Sequence, residues 1–192
     1  LQEPCDYERT RLIVWEMADM LSLDLVDKGL VTNQIVLTVG YDRESLADGR
    51  YQGEVVSDRY GRQVPKHAHG TQNLDKHTSS TRKMVEATMT LFDRIFDKTL
   101  LARRINLVAC NVIKESDVPE SESYEQLSLF DTEETLQDRA DDEKALEKER
   151  ALQEAMLTIK HKFGKNAVLK GTNFTEGATA KERNRQIGGH KA

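Results

Sequence analysis

Apolar residues recur at helical spacing near the start of the chain. Ile13, Met17, Met20, Leu21 and Leu25 share one stripe, which predicts a helix from about Asp6 to Lys28. Asp6 suits the N-cap, because its carboxylate accepts from the free amides of the first turn. Gly29 supplies the left-handed residue on which helices often end. The pattern then switches to a period of two. Gln34-Ile-Val-Leu-Thr-Val-Gly-Tyr41 is rich in β-branched residues, so a strand is predicted with Ile35, Leu37 and Val39 toward the helices and Val36 and Thr38 opposite. Residues 43–63 are charged, contain glycine and show no period, as expected of a long excursion between strands. Lys66 to Leu74 reads as a weaker strand, kept from a central position by Pro65 and Gly70. Thr78-Ser79-Ser80 then caps a second helix, roughly Thr81 to Asp97. Its stripe of Met84, Thr88, Leu91 and Ile95 is widened by Val85, Phe92 and Phe96. Arg104 to Ile113 alternates once more, with Ile105, Leu107 and Ala109 inward.

This α-β-β-α-β order predicts an α+β fold over residues 6–115, with two helices packed on one face of a small mixed or antiparallel sheet. Three strands under two helices is meagre, so a strand is expected to be missing, as in a piece of a larger protein. Residues 116–140 are acidic and serine-containing, the composition of a linker. Asp141 to Lys162 reads as a third helix with Ala145, Leu146, Leu152, Ala155, Met156 and Ile159 as its apolar side, stopped by Gly164. Ala167 to Lys170 suggests a short strand, and Thr172 to Ala192 a flexible basic tail. The expected organisation is therefore a domain at 1–115, a linker at 116–140, a helix and strand at 141–171, and a tail at 172–192.

Composition agrees with one modest core carrying polar extensions: 38% of the 192 residues are apolar and 32% charged. No apolar run approaches the length of a membrane span, and the N-terminus has neither region of a secretory signal. Cys5 and Cys110 build neither a disulfide framework nor a zinc site, so a reduced, cytoplasmic protein is expected. The net charge of −5 hides a segregation. Residues 116–154 carry 14 acidic against 4 basic side chains, and residues 155–192 carry 2 against 8. Residues 43–115 are mildly basic. That layout reopens nucleic-acid binding, which the overall acidity alone argues against.

Strand parity puts Arg104, Asn106 and Val108 on the open face of the sheet, with Thr38 and part of Lys66–Lys76. Thr78, Ser79 and Ser80, with the free amides of the second helix, form a phosphate cradle beside Arg82 and Lys83. The plainer alternative is a solvated face and an ordinary cap. His67, His69 and His77 cluster in sequence, but no carboxylate or cysteine at ligand spacing completes a metal site. Trp15 is a packing residue. No phosphate loop, nucleophile elbow or zinc-protease motif occurs. The acidic run from Asp138 to Glu143 belongs at a helix start, where it favours the dipole. Gln126-Leu-Ser-Leu-Phe130 is an isolated apolar cluster in the linker. It is either an anchor folding back onto the domain or a peptide whose Leu127, Leu129 and Phe130 fill a partner's pocket.

Several of these segments occur in a telling order: Thr78-Ser-Ser-Thr-Arg82, Leu101-Ala-Arg-Arg-Ile-Asn-Leu-Val-Ala109, the QLSLF pentapeptide and Arg183-Asn-Arg-Gln-Ile-Gly-Gly-His190. Together they resemble the C-terminal part of Y-family translesion DNA polymerases, of the SOS branch that includes the polymerase V catalytic subunit, in a Gram-positive type version. The resemblance implies that residues up to about 115 are the little finger, whose sheet lies beside primer–template DNA, with its first strand preceding Leu1. It implies DNA-backbone contacts from Lys76, Thr78, Ser79, Ser80, Arg82, Lys83, Arg103, Arg104 and Asn106, without readout of base identity. It also implies docking on a sliding clamp through Gln126, Leu127, Ser128, Leu129 and Phe130. The palm carboxylates that hold magnesium have no counterpart here, so no cofactor and no polymerase activity are expected of this chain. The last forty residues would meet an SOS accessory subunit or a recombinase filament, and the setting would be the bacterial cytoplasm, with no membrane. The competing expectation is a regulatory or scaffold protein without a DNA role, pairing with a partner through helix 141–162.

Overall fold

The computed structural model describes residues 1–47, 49, 51–119, 133–187 and 190–191. Helix α1 spans Tyr7–Asp27, and the Asp6 carboxylate accepts from the Arg9 amide at 2.9 Å. After Gly29, at φ +63°, the chain enters strand β1, Leu30–Tyr41. A hairpin of β2, Val55–Ser57, and β3, Gln63–Pro65, interrupts the path to β4, Ala68–Thr78. Helix α2, Thr81–Ile95, leads to β5, Ala102–Cys110, and β6, Ile113–Lys114. A long helix α3, Glu133–Phe163, and a short α4, Ala180–Arg183, follow. The last residues pair as β7, Gln186–Ile187, and β8, His190–Lys191.

β1 is the central strand. β4 lies antiparallel on one side of it; β5, and then β6 at its start, lie antiparallel on the other. The α+β expectation is met, with an antiparallel sheet. Ile35, Leu37 and Val39 are fully buried under α1 and α2, as the two-residue period requires. They meet Val14, Met84, Leu91, Phe92 and Phe96. Tyr7, Phe92 and Phe96 stack at 4.8–5.8 Å. The Tyr41 hydroxyl accepts from the Asp97 amide at 2.9 Å, which ties the end of β1 to the end of α2. β4 is an edge strand, and its Gly70 is needed there: a Cβ would lie 2.8 Å from Leu91 and 2.9 Å from Ile95.

Several boundaries differ from expectation. β1 begins at Leu30, β4 runs on to Thr78, and β5 stops at Cys110 because Asn111, at φ 52°, kinks the chain so that Ile113 pairs again in β6. The excursion expected over residues 43–63 carries the β2–β3 hairpin, which runs on to Pro65. α1 is buried on two faces: besides Ile13 and Leu25, Glu16, Asp19, Leu23 and Val26 are covered. For Glu16 the cover is the segment expected to be a flexible tail, while Leu23 lines a pocket with Gln153 and Met156 of α3. Glu16, with no exposed side-chain area, accepts from the Thr179 and Ala180 amides at 2.9 Å, from Asn173 at 2.9 Å and from Arg183 at 3.3 Å. Lys170 pairs with Asp19. A buried carboxylate is tolerated only when its oxygens are filled in this way. Ala167–Lys170 is irregular chain, not a strand. Among the described residues no helix is long and apolar enough to cross a membrane.

Adjacent residues of β1 should respond in opposite ways to truncation. Leu37→Ala is expected to cost about 2–5 kcal/mol in urea denaturation, whereas Val36→Ala, on the open face, should cost less than about 1 kcal/mol.

Candidate nucleic-acid interface

The face of the sheet turned away from the helices is built by parity. Thr38 lies opposite His69 on β4 and Asn106 on β5; Val36 lies opposite Thr71 and Val108; Gln34 lies opposite Asn73. Thr38 Oγ1 and His69 Nδ1 are 2.9 Å apart, and Gln34 donates to Asn73 at 2.9 Å. His69, Thr71, Asn73, Arg104, Asn106 and Val108 are exposed. The surface is pleated, polar and nearly free of acids, with Arg104 at one end. Such a surface offers donors to phosphate and sugar but little to tell bases apart.

Arg104 and Asn106 therefore stand where sequence parity put them. Arg103 occupies a register shift beside them, donating to the Gln2 carbonyl at 2.8 Å and lying 3.7 Å from Asp42. The remaining expected donors sit elsewhere. Thr78 is opposite Thr32, six residues along β1 from Thr38, or about 20 Å. Lys76 is in β4 on the way there, partly buried.

The cradle at the start of α2 is occupied by the chain itself. One oxygen of Glu149 accepts from Ser80 Oγ at 2.6 Å and the other from the Arg82 amide at 2.8 Å. Gln153 donates to the Ser79 carbonyl at 3.0 Å and to Thr81 Oγ1 at 2.9 Å. Arg150 reaches Ser79 Oγ at 3.3 Å and Glu115 at 2.8 Å. Asp142 pairs with Arg82 and, at 3.3 Å, with Lys83. The free amides and dipole of a helix start favour an anion, and here the anion is a carboxylate from α3. The contact with Arg82 holds the Asp142 carboxyl below its usual pKa. The stabilisation from this pair is thus complete above the ordinary carboxylate pKa and is lost as pH falls through the lowered one.

α3 docks through this polar side. Of its expected apolar side, Met156 is buried and Leu146 half-buried, but Ala145, Leu152, Ala155 and Ile159 are exposed. The helix also begins at Glu133, inside the expected linker. Gln126, Leu127, Ser128, Leu129 and Phe130 lie outside the described residues.

Sequence reading missed the groove between the β2–β3 hairpin and the arginine end of the open face. Its volume is about 750 Å³, and Arg43, Arg59, Arg62, Arg103, Arg104 and His67 are among its lining residues. The Asp58 carboxylate shapes the hairpin turn, accepting from the Tyr60 and Arg62 amides at 2.8 and 2.9 Å and from Arg62 Nε at 2.7 Å. The Arg62 bond pulls the Asp58 carboxyl below its usual pKa. The available signal was Asp58-Arg-Tyr-Gly-Arg62 between Val56 and Val64, since an Asp followed by a Gly with positive φ makes a tight turn. Among the described residues no three His, Cys, Asp or Glu side chains converge as a metal site; the imidazoles of His67 and His69 stand 6.5 Å apart at the surface.

Residues 3–129 match the model of the impB/mucB/samB family C-terminal domain. The chain belongs to this family. It is a C-terminal region of the Y-family polymerase type. Over 129 residues it is 32% identical to DNA polymerase IV 2 of Halalkalibacterium halodurans, covering 67% of this chain and 26% of that protein. Over 191 residues it is 25% identical to the "Putative UV-damage repair protein UvrX" of Bacillus subtilis, covering 97% of this chain and 36% of the relative. The chain thus spans between about a quarter and about a third of these relatives' lengths. No solved structure matches it. The impB/mucB/samB match takes in α1 through β6, so the open face and the groove lie within it, while α3 and the residues 173–183 that close on Glu16 lie beyond.

The α3 docking contact can be separated from the fold of the impB/mucB/samB domain. Glu149→Ala combined with Gln153→Ala should open the 140–163 stretch to limited proteolysis at least several-fold faster. The main urea transition of the domain should stay in place, because the β1 core does not use either residue.

Proposed function

We propose that this chain is the DNA-gripping and clamp-docking region of an error-prone translesion polymerase. The observation that carries the reading is the open face: a sheet packed on one side by two helices, bare on the other, and polar with a basic end. A polymerase that copies damaged templates needs purchase on sugar and phosphate that ignores base identity, and this surface offers donors of that kind. Arg104, Asn106, Thr38 and His69 would supply the first contacts, with Arg103 beside them. The Ser79–Ser80 cradle would take a DNA phosphate only if Glu149 left it. Nucleotidyl transfer and its magnesium ions would belong to a palm domain outside this chain; the acids described here form no cluster that fits them.

The pentapeptide Gln126-Leu-Ser-Leu-Phe130 would tether the polymerase to a sliding clamp, the two leucines and Phe130 filling an apolar pocket and the Gln126 amide fixing register. An SOS accessory subunit or a recombinase filament would meet the region from α3 onward. A second reading, pairing through α3 with a partner helix, has one observation in its favour: Leu152, Ile159 and Phe163 are exposed along it. That pairing is compatible with a DNA-binding sheet.

Binding to duplex DNA should weaken as salt rises. Arg104→Ala should lower affinity by similar factors on unrelated sequences and make the slope of log K against log salt less steep by about 1. A flat salt response, or no change in the variant, would count against the reading. Clamp binding should be separable: Leu129→Ala with Phe130→Ala should abolish retention on an immobilised sliding clamp and leave duplex affinity within about two-fold.

A further inference from the structure

Twelve arginine side chains among the described residues can be sorted by their partners, and most are engaged. Arg9, Arg11, Arg62, Arg82, Arg103, Arg150 and Arg183 pair with carboxylates, and Arg94 bonds Gln72 and the Thr71 carbonyl. Arg43, Arg59 and Arg104, by contrast, like Arg185 near the end of the chain, have no side-chain hydrogen-bonding or ionic partner among the described residues, and all are exposed. The first three of these unpaired guanidinium groups come from separate segments and line one groove. Two of the acids in that lining are already engaged: Asp58 holds Arg62, and Asp42 faces Arg103 and accepts from the Glu44 amide. Glu44 is the third acid there, and its charge would keep an anion toward the arginines.

An aromatic ring stands at the same place. Tyr60, at the hairpin turn, is 78% exposed, although an apolar ring gains by burial. The Arg62 guanidinium lies 5.0 Å from its centroid, which steadies the ring and leaves most of its surface to solvent. Paired bases in a duplex are already stacked on their neighbours, so a ring of this kind can be used only by a base freed from pairing. Guanidinium groups along a groove, with an aromatic platform at its rim, are the elements of single-strand recognition.

We infer that the groove between the β2–β3 hairpin and the sheet holds an unpaired DNA strand, its phosphates on Arg43, Arg59 and Arg104 and a base against Tyr60. The inference rests on the proposed DNA-binding role and adds a second mode to it. The open face takes duplex, and the adjoining groove takes single strand.

The test compares the full chain with Arg59→Ala/Tyr60→Ala and with Tyr60→Phe, by fluorescence polarisation on a labelled single-stranded oligonucleotide and on a duplex of equal length. Thermal melts check that each variant is folded; both positions are exposed at a turn. The double variant should lose about ten-fold or more in single-strand affinity while duplex affinity changes less than about two-fold, and Tyr60→Phe should bind as the parent does. Unchanged single-strand binding in the double variant overturns the inference, as does an equal loss on both DNAs. Displacement by poly-glutamate as effective as by unlabelled single strand also overturns it, pointing to a site for acidic polymers. If the parent chain binds duplex but not single strand, the inference alone fails; if it binds neither, the DNA-binding role fails with it.

Discussion

Everything on this molecule is arranged about the two faces of β1. Because successive side chains of a strand point to opposite sides, the segment from Ile35 to Val39 can commit alternate residues to different solvents. Ile35, Leu37 and Val39 are fully buried under α1 and α2. Val36 and Thr38, between them, join His69, Thr71, Asn106 and Val108 on the bare side. With β4 and β5 both paired to it, β1 passes its parity to its neighbours. A slip of one residue would exchange core for surface across all three strands. The burial of the apolar set therefore fixes the polar set as well, and the candidate interface is as rigid as the core behind it.

The C-terminal third is attached by different physics. α3 and the Lys170–Arg183 segment bury little apolar surface of their own. They are held by carboxylates set against unfilled donors: Glu149 at the start of α2, and Glu16 of α1 at the Thr179 and Ala180 amides. Each joins residues far apart in sequence, and each satisfies backbone groups that would otherwise need water. The strong acidity of residues 116–154 has a structural use in this light, since it delivers carboxylates to a basic helix start.

These two kinds of attachment explain which parts of the structure could be read from the chain alone. β1, β5 and α2 announce themselves because apolar burial leaves a period, and the positions of Arg104 and Asn106 follow from Ile105 and Leu107 by parity. The docked side of α3 leaves no such trace: Glu149 and Gln153 bind by hydrogen bonds, so the apolar spacing of Leu152 and Ile159 pointed to a side that is exposed. The anion-binding chemistry of Ser79 and Ser80 was legible, but its occupant, nearly seventy residues away, was not. The β2–β3 hairpin escaped because three-residue strands are too short to show alternation. The burial of Glu16 left no sign in the sequence of α1, because its donors lie beyond residue 170.

The most direct test of the account is to map where duplex DNA touches the chain, by amide chemical-shift changes in an isotope-labelled sample. The account predicts that shifts concentrate at Val36, Thr38, His69, Thr71, Arg104 and Asn106, with the α1 and α2 amides unmoved. Shifts confined to the two helices, with β1, β4 and β5 silent, would contradict it.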